Sequence, residues 1–428
     1  MSSPNLENSD KIDFHTIILG IQMLFVAFGS LVLVPLLTGL NPAVALFTAG
    51  IGTLIFQIIT KGQVPIFLAS SFAFIAPIQG AVQQWGIPTA MVGLLATGLV
   101  YILLSLVVRT YGQNIINRIL PPIVIGPVIM VIGLNLAPAA INMLQGFPAS
   151  DNPMPYGASM TCGLVALIVT LFFSIRGRGL LQFLSILVGI AAGYITALIF
   201  TYGFNIPLVN FDTVREAAWI AVPAFTFPDF KSPHALAAIL FIVPVAIAPA
   251  VEHIGDMAAI SKVTGKDYLK KPGLKNTLLG DGIATSAAAF FGGPPNTTYS
   301  EVTGAVALTR AFNPRIMLIA AITAIILSFV GKLSAFLNSI PAPVMGGIMV
   351  MLFGSIAVIG ISTLTHMDDD IMRKRNMLIA ALILVIGIGG LSIEIDAFRF
   401  GSIGLAAIVG IFANMILPKH ISIQKTQK

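Results

Sequence analysis

The chain has 428 residues, 57% of them hydrophobic and only 9% charged, whereas a soluble domain carries about 25% charged residues. So little charge excludes a water-soluble globule, and the single cysteine, Cys162, excludes an intrachain disulfide. The net charge of +6 would point to nucleic acid only if the basic residues shared one face; in a membrane protein they gather in the loops of one side. Residues 1–13 are polar and carry Glu7 and Asp10 in place of a basic leader, which predicts a cytoplasmic N-terminal segment and no cleavable signal peptide.

Beyond that segment, apolar runs broken at Gly, Pro and charge clusters predict fourteen spans, each near the roughly 20 residues that cross a hydrocarbon core. In chain order they are 14–38, 42–60, 64–82, 88–108, 119–137, 156–175, 180–203, 234–262, 276–292, 294–308, 316–337, 341–362, 376–393 and 401–418. The third and tenth are the poorest helices, and the class predicted is an all-α polytopic membrane protein. With the N-terminus inside, all but Arg215, Lys231, Lys332 and Arg399 of the 23 basic residues fall on the cytoplasmic side. Both termini are therefore expected to be cytoplasmic. The Lys262 to Lys275 cluster reads as a solvated loop that orients the protein, and nucleic acid is not an expected partner.

Pro121, Val124 and Gly126 align with Pro341, Val344 and Gly346, which splits the chain into two parts of seven spans. An odd number of spans inverts one part relative to the other, as in secondary transporters that bind substrate near the midplane between interrupted helices. The interruptions are visible. Gln63 to Phe74 opens with Pro65 and β-formers and then offers Ser70 and Ser71 as helix caps; Gly293 to Glu301 opens with Pro294-Pro295 and ends with Thr298 and Ser300 as caps. Each reads as a short strand followed by a half-helix, enclosed by protein because open strand edges do not face lipid. The helix starts would aim free N–H groups into the enclosed cavity.

Four carboxylates fall inside spans eight to ten: Glu252, Asp256, Asp281 and Glu301. Each costs about 2.5–3.5 kcal/mol on insertion scales, so an embedded acid marks function. No Lys or Arg lies deep in a span to neutralise them, which leaves protonation, cation binding or acceptance of substrate hydrogen bonds. Glu252 and Asp256 share a helix face. His253 points about 100° away and reads as a packing residue. Asp281 reads equally as a brace for backbone N–H groups or as a coupling residue, and Glu301 sits where the helix dipole favours a negative charge.

Ser70-Ser71-Phe72-Ala73-Phe74, Val251-Glu252-His253-Ile254-Gly255 and Pro295-Asn296-Thr297-Thr298-Tyr299-Ser300-Glu301 resemble the nucleobase-ascorbate transporter family, most closely its bacterial uracil permeases. The likeness runs over nearly the whole chain. It implies two inverted sevens with short β-strands in spans three and ten. It also implies a core domain of 14–108 and 234–337, a gate domain of 109–233 and 338–418, and a cytoplasmic tail at 419–428. It further implies proton-coupled uracil import across the bacterial cytoplasmic membrane and a homodimer through the gate domain. The proton would be the coupling ion, with Na⁺ as the alternative, and no cofactor or metal is expected. Glu252 and Glu301 would accept hydrogen bonds from the ring N–H groups, and the backbone N–H groups of Phe72 and Ser300 would meet the carbonyls. Phe72, Tyr299 and Phe353 would wall the flat ring, with Ser71 beside it; Asp256, Glu301 and Asp281 would couple the proton. Three positions depart from the pattern: Asp256 stands where a histidine can occur, Val302 for asparagine and Ser300 for glycine.

A xanthine or other purine permease is the nearest alternative, kept open by Asp256 and Asp281. An intramembrane aspartyl protease would also use paired membrane acids, but the glycine spacing before Asp281 and a partner Tyr-Asp are missing. A metalloprotease would need His-Glu-x-x-His, which is absent. A channel would show rings of charge or filter carbonyls instead of one asymmetric cluster.

Overall fold

The computed structural model describes residues 13–112, 121–147, 154–365, 367, 371–395 and 398–418. The expected cytoplasmic ends, 1–12 and 419–428, lie outside the described residues. Asp13 caps α1 (Phe14–Thr38), accepting from Thr16 N at 2.8 Å, and Gly39 ends it in the left-handed conformation at φ 74°. Asn41 caps α2 (Pro42–Ile59), whose first residue is a proline, the imino acid that a helix start tolerates. A short strand, β1 (Leu68–Ser70), and a tight 3-10 turn (Phe72–Phe74) lead into α3 (Ile75–Tyr111). Gly86, at φ 77° and ψ 167°, breaks α3 just before Pro88. Next come α4 (Pro122–Leu144), α5 (Tyr156–Arg176) and α6 (Ser185–Gly203).

The expected span 234–262 is not one helix. Pro244, which lacks an N–H, divides it into α7 (Ala235–Ile242), a 3-10 turn (Val243–Ala246) and α8 (Ile247–Thr264). The chain continues through α9 (Leu274–Phe290), β2 (Asn296–Thr298) and α10 (Ser300–Thr309). The expected span 316–337 is also divided, into α11 (Arg315–Ser328) and α12 (Gly331–Asn338). At that break the preceding loop supplies the hydrogen bonds a helix would have made: Ala221 N donates to Phe329 O at 2.9 Å and Gly331 N to Trp219 O at 3.0 Å. Then come α13 (Ala342–Thr365) and α14 (Lys374–Ile388). The span expected to reach 393 stops short because Gly389 and Gly390, the latter at φ 71°, end the helix. The next residues form an antiparallel pair, β3 (Ile393–Ile395) with β4 (Phe398–Phe400), before α15 (Ser402–Ile416).

Among the described residues eight helical stretches are long and apolar enough to cross a membrane. Their outward faces carry Leu103, Ile168, Ile199 and Val358, all exposed, as suits helices whose solvent is hydrocarbon. Packing falls mainly into two groups. In one, α9 lies against α2 and α3, α11 against α1 and α2, and α7 against α3; in the other, α13 lies against α4 and α5, α5 against α6, and α14 against α4 and α15. The contact of α4 with α13 is close because a Cβ at Gly126 would come within 2.8 Å of Gly360 O, the small-residue packing typical of membrane helices.

Candidate functional site

The two short strands pair with each other although one precedes α3 and the other precedes α10. Leu68 lies opposite Thr298, Ala69 opposite Thr297 and Ser70 opposite Asn296. A lone strand pair in an apolar surrounding leaves outer N–H and C=O groups unpaired, at a cost of several kcal/mol each. Side chains of α2 and α9 make good much of that deficit. Leu68 N donates to Thr53 Oγ1 at 2.9 Å, and Gln57 Nε2 donates to Val64 O at 2.8 Å and Ile66 O at 3.2 Å. Thr285 Oγ1 donates to Asn296 O at 2.7 Å, and Asn296 Nδ2 donates to Thr48 O at 2.8 Å. Gly52 has to be glycine here, since a Cβ would collide with Asn296 Nδ2. Sequence reasoning missed Thr48, Gly52, Thr53 and Gln57. Their signal was a polar stripe at helical spacing on an otherwise apolar span.

Past the strands both segments turn into helices at the wall of one cavity. Ser71 N donates to Pro295 O at 3.0 Å, and the Phe72–Phe74 turn then opens α3. On the other side Tyr299, extended at φ −127°, leads into α10. The cavity has a volume of about 440 Å³, within the range of small-molecule sites. Ser71, Phe72, Thr297 and Tyr299 form one wall, Glu252 and Asp256 of α8 another, and apolar residues of α4 and α13 such as Ile129 and Ile356 complete it. The Phe72 and Tyr299 ring centroids are 6.1 Å apart at 41°.

Of the residues singled out in the sequence, Glu252, Asp256, Ser71, Phe72 and Tyr299 meet at this cavity. Glu252 is exposed, while Asp256 is buried and accepts from Thr298 Oγ1 at 2.7 Å, which ties α8 to β2. Glu301, the second residue of α10, is exposed and is not among the residues that line the cavity, but it lies close enough to Asp256 for their charges to interact. Ser300 begins α10, and its side chain lies outside the described residues. Two residues are placed elsewhere. Phe353 is 1% exposed and is not among the residues that line the cavity, and its backbone packs against Gly133 of α4. Asp281 is fully buried behind α8, with its Oδ2 3.3 Å from His253 Nδ1. His253 therefore packs, and it does so against an acid. No Lys or Arg lines the cavity, and among the described residues no group of three or more His, Cys, Asp or Glu is placed to hold a metal ion.

Comparisons with known proteins bear on the fold and the family. The fold is similar to the transmembrane domain of a cyanobacterium bicarbonate transporter, BicA, with a TM-score of 0.66 at 16% identity, covering 95% of this chain and 99% of that one. It is likewise similar to the murine anion transporter Slc26a9 in the inward-facing state, with a TM-score of 0.67 at 12% identity over 95% of this chain and 68% of that one. Such identities speak to fold alone. In sequence, the chain is 53% identical to a probable uracil permease of Pasteurella multocida, covering 94% of this chain and 93% of the relative. It is 44% identical to the uracil permease of Bacillus subtilis, over 95% and 93%, and 37% identical to that of Escherichia coli K12, over 97% and 94%. These relatives are permeases, so the protein is a multi-pass membrane transporter and not an enzyme. A family model described as "Permease family" matches residues 14–394, and the chain belongs to that family, the nucleobase-ascorbate transporters that its Asn296–Glu301 string resembles.

Proposed function

We propose that the protein imports uracil across the bacterial cytoplasmic membrane by proton symport. The observation that carries this reading is the cavity itself: two carboxylate-bearing helix positions, Glu252 and Asp256, face two aromatic rings, Phe72 and Tyr299, at the starts of two helices. A flat ring with N–H donors beside C=O acceptors is complementary to that set. Glu252 and Glu301 accept from the ring N–H groups, and the backbone N–H groups of Phe72 and Ser300 meet the carbonyls. The names of the relatives, uracil permeases at 37–53% identity over nearly the whole chain, support the same substrate.

In this reading Asp256 and Glu301 carry the coupling proton, with no Lys or Arg in the cavity lining to hold their charge, and Asp281, beside His253 behind α8, takes part in its transfer. Fourteen spans form two inverted sevens with both termini in the cytoplasm. The core (14–108 and 234–337) carries the site and shifts against the gate (109–233 and 338–418), through which two copies dimerise. The α4 and α13 residues in the cavity wall are the gate surface against which the substrate is enclosed.

The test is uptake of labelled uracil into proteoliposomes under an imposed pH gradient. Glu252→Gln and Glu301→Gln are each expected to abolish uptake and to weaken uracil binding more than 100-fold, roughly the cost of leaving two buried hydrogen-bonding groups unpaired. Binding like the wild type in both variants would reject the site. Asp256→Asn is expected to lower gradient-driven accumulation more than equilibrium binding. Competition by xanthine and hypoxanthine decides the purine alternative, which the aspartate at 256 favours: displacement of uracil by xanthine at equal concentration would replace uracil as the substrate.

A further inference from the structure

Two hydroxyls in the cavity wall have no partner. Ser71 and Thr297 both line the cavity, are 1% and 3% exposed, and make no hydrogen bond through Oγ or Oγ1. Hydroxyls close by behave differently: Thr53, Thr285 and Thr298 each bond a strand or an acid. Ser70 Oγ is also unpaired but does not line the cavity.

The strand register brings the two residues together. Thr297 pairs with Ala69, and the Ser71 N to Pro295 O bond extends the same register one step beyond the strands. Alternate residues of a strand share a face. Ser71 and Thr297 are therefore diagonal neighbours on one face of the ribbon, with backbones about 7–8 Å apart, while Ser70 and Asn296 occupy the other face. A buried hydroxyl without a partner is costly, and a hydroxyl redirects its proton by turning about its Cβ–O bond with the oxygen in place. Two such groups at one place call for an acceptor from outside the chain.

We propose that Ser71 and Thr297 form a hydroxyl subsite that donates hydrogen bonds to an exocyclic carbonyl oxygen of the substrate. The proposal rests on the reading that a nucleobase occupies this cavity. The division of labour is chemical: carboxylates accept only, so they take ring N–H groups, and hydroxyls can donate, so they take a carbonyl. The subsite then selects for oxygen over a weaker acceptor such as sulfur at one ring position.

The experiment measures binding of uracil, 2-thiouracil and 4-thiouracil to the full-length protein in lipid nanodiscs, with thermal unfolding followed in parallel. Thr297→Val keeps the shape and removes the hydroxyl; Thr297→Ser keeps the hydroxyl; Ser71→Ala removes the other. Thr297→Val and Ser71→Ala are each expected to weaken uracil binding roughly tenfold. They should also shrink the preference for uracil over one of the two thio analogues, with Thr297→Ser near the wild type. Unchanged affinity and an unchanged oxygen-to-sulfur preference in both variants would overturn the proposal. An equal loss for all three ligands with a lowered unfolding temperature would overturn it too, because the hydroxyls would then be structural. If Thr297→Val does not fold, the Ser71→Ala preference decides alone. Glu252→Gln and Glu301→Gln are the controls for the underlying reading: retained uracil binding in both rejects the nucleobase site as a whole, whereas lost binding there with neutral hydroxyl variants rejects only the subsite.

Discussion

Residues 63–74 and 293–301 both run from a proline-bearing stretch through one short strand into a helix start, yet they bring different chemistry to the same cavity. The first contributes Ser71 and the Phe72 ring and carries no ionisable side chain. The second contributes Thr297 and Tyr299, hooks Asp256 through Thr298, and places Glu301 in the first turn of its helix. All four embedded acids come from the chain after residue 250. The scaffold that satisfies the strands comes largely from the other side, through Thr48, Thr53 and Gln57 of α2. Similar backbones with unlike side chains give the cavity a charged side at Glu252 and Asp256 and an aromatic side at Phe72 and Tyr299.

The comparison can be broken first at Gly52. Gly52→Val pushes into Asn296 and should separate the strands, with no measurable uracil uptake and a clearly lowered unfolding temperature in proteoliposome and thermal assays. Next, Thr298→Val removes the hydroxyl that binds Asp256 at 2.7 Å. A hydrogen bond to a charged group is worth about 1.5–3 kcal/mol, so uracil accumulation should fall roughly 10- to 100-fold, while Thr298→Ser stays close to the wild type. On the apolar edge, Phe72→Leu loses the aromatic face opposite Tyr299 and should weaken equilibrium binding only about three- to tenfold. The smallest effect is expected outside the site. Asp267 and Lys270 pair at 3.0 Å in the loop between α8 and α9, and the hydrogen bond from Lys270 holds the Asp267 carboxyl below its ordinary value. That contribution is present above the ordinary carboxylate range and is lost as the pH falls through the lowered value. Asp267→Asn should therefore leave uptake unchanged, and any shift in unfolding temperature at neutral pH should vanish in acid.

The parts of the site that follow chain order were legible in the sequence. Pro65 and Pro294-Pro295 marked where helix could not continue, and the spacing of Glu252 and Asp256 placed both on the face that reaches the cavity. What depends on neighbours was not legible. His253 read as packing, and only the approach of α9 shows that its partner is Asp281. Phe353 has the right chemistry for a cavity wall, but it is buried in the core and not among the cavity-lining residues. The breaks at Pro244 and at Phe329-Val330 differ in the same way: the first is written in the residue, the second in hydrogen bonds from a loop more than a hundred residues earlier.

The pairing of Ser70 with Asn296 also sets an order of assembly. A ribosome that has released the first 290 residues has made α2 and β1 but nothing to cover the open edge of β1. In hydrocarbon that edge is costly, and long-range closure is slow. The strand pair at the cavity wall therefore closes only after residue 298 has been made. A chain that ends between residues 71 and 295 has made β1 without the strand that pairs with it.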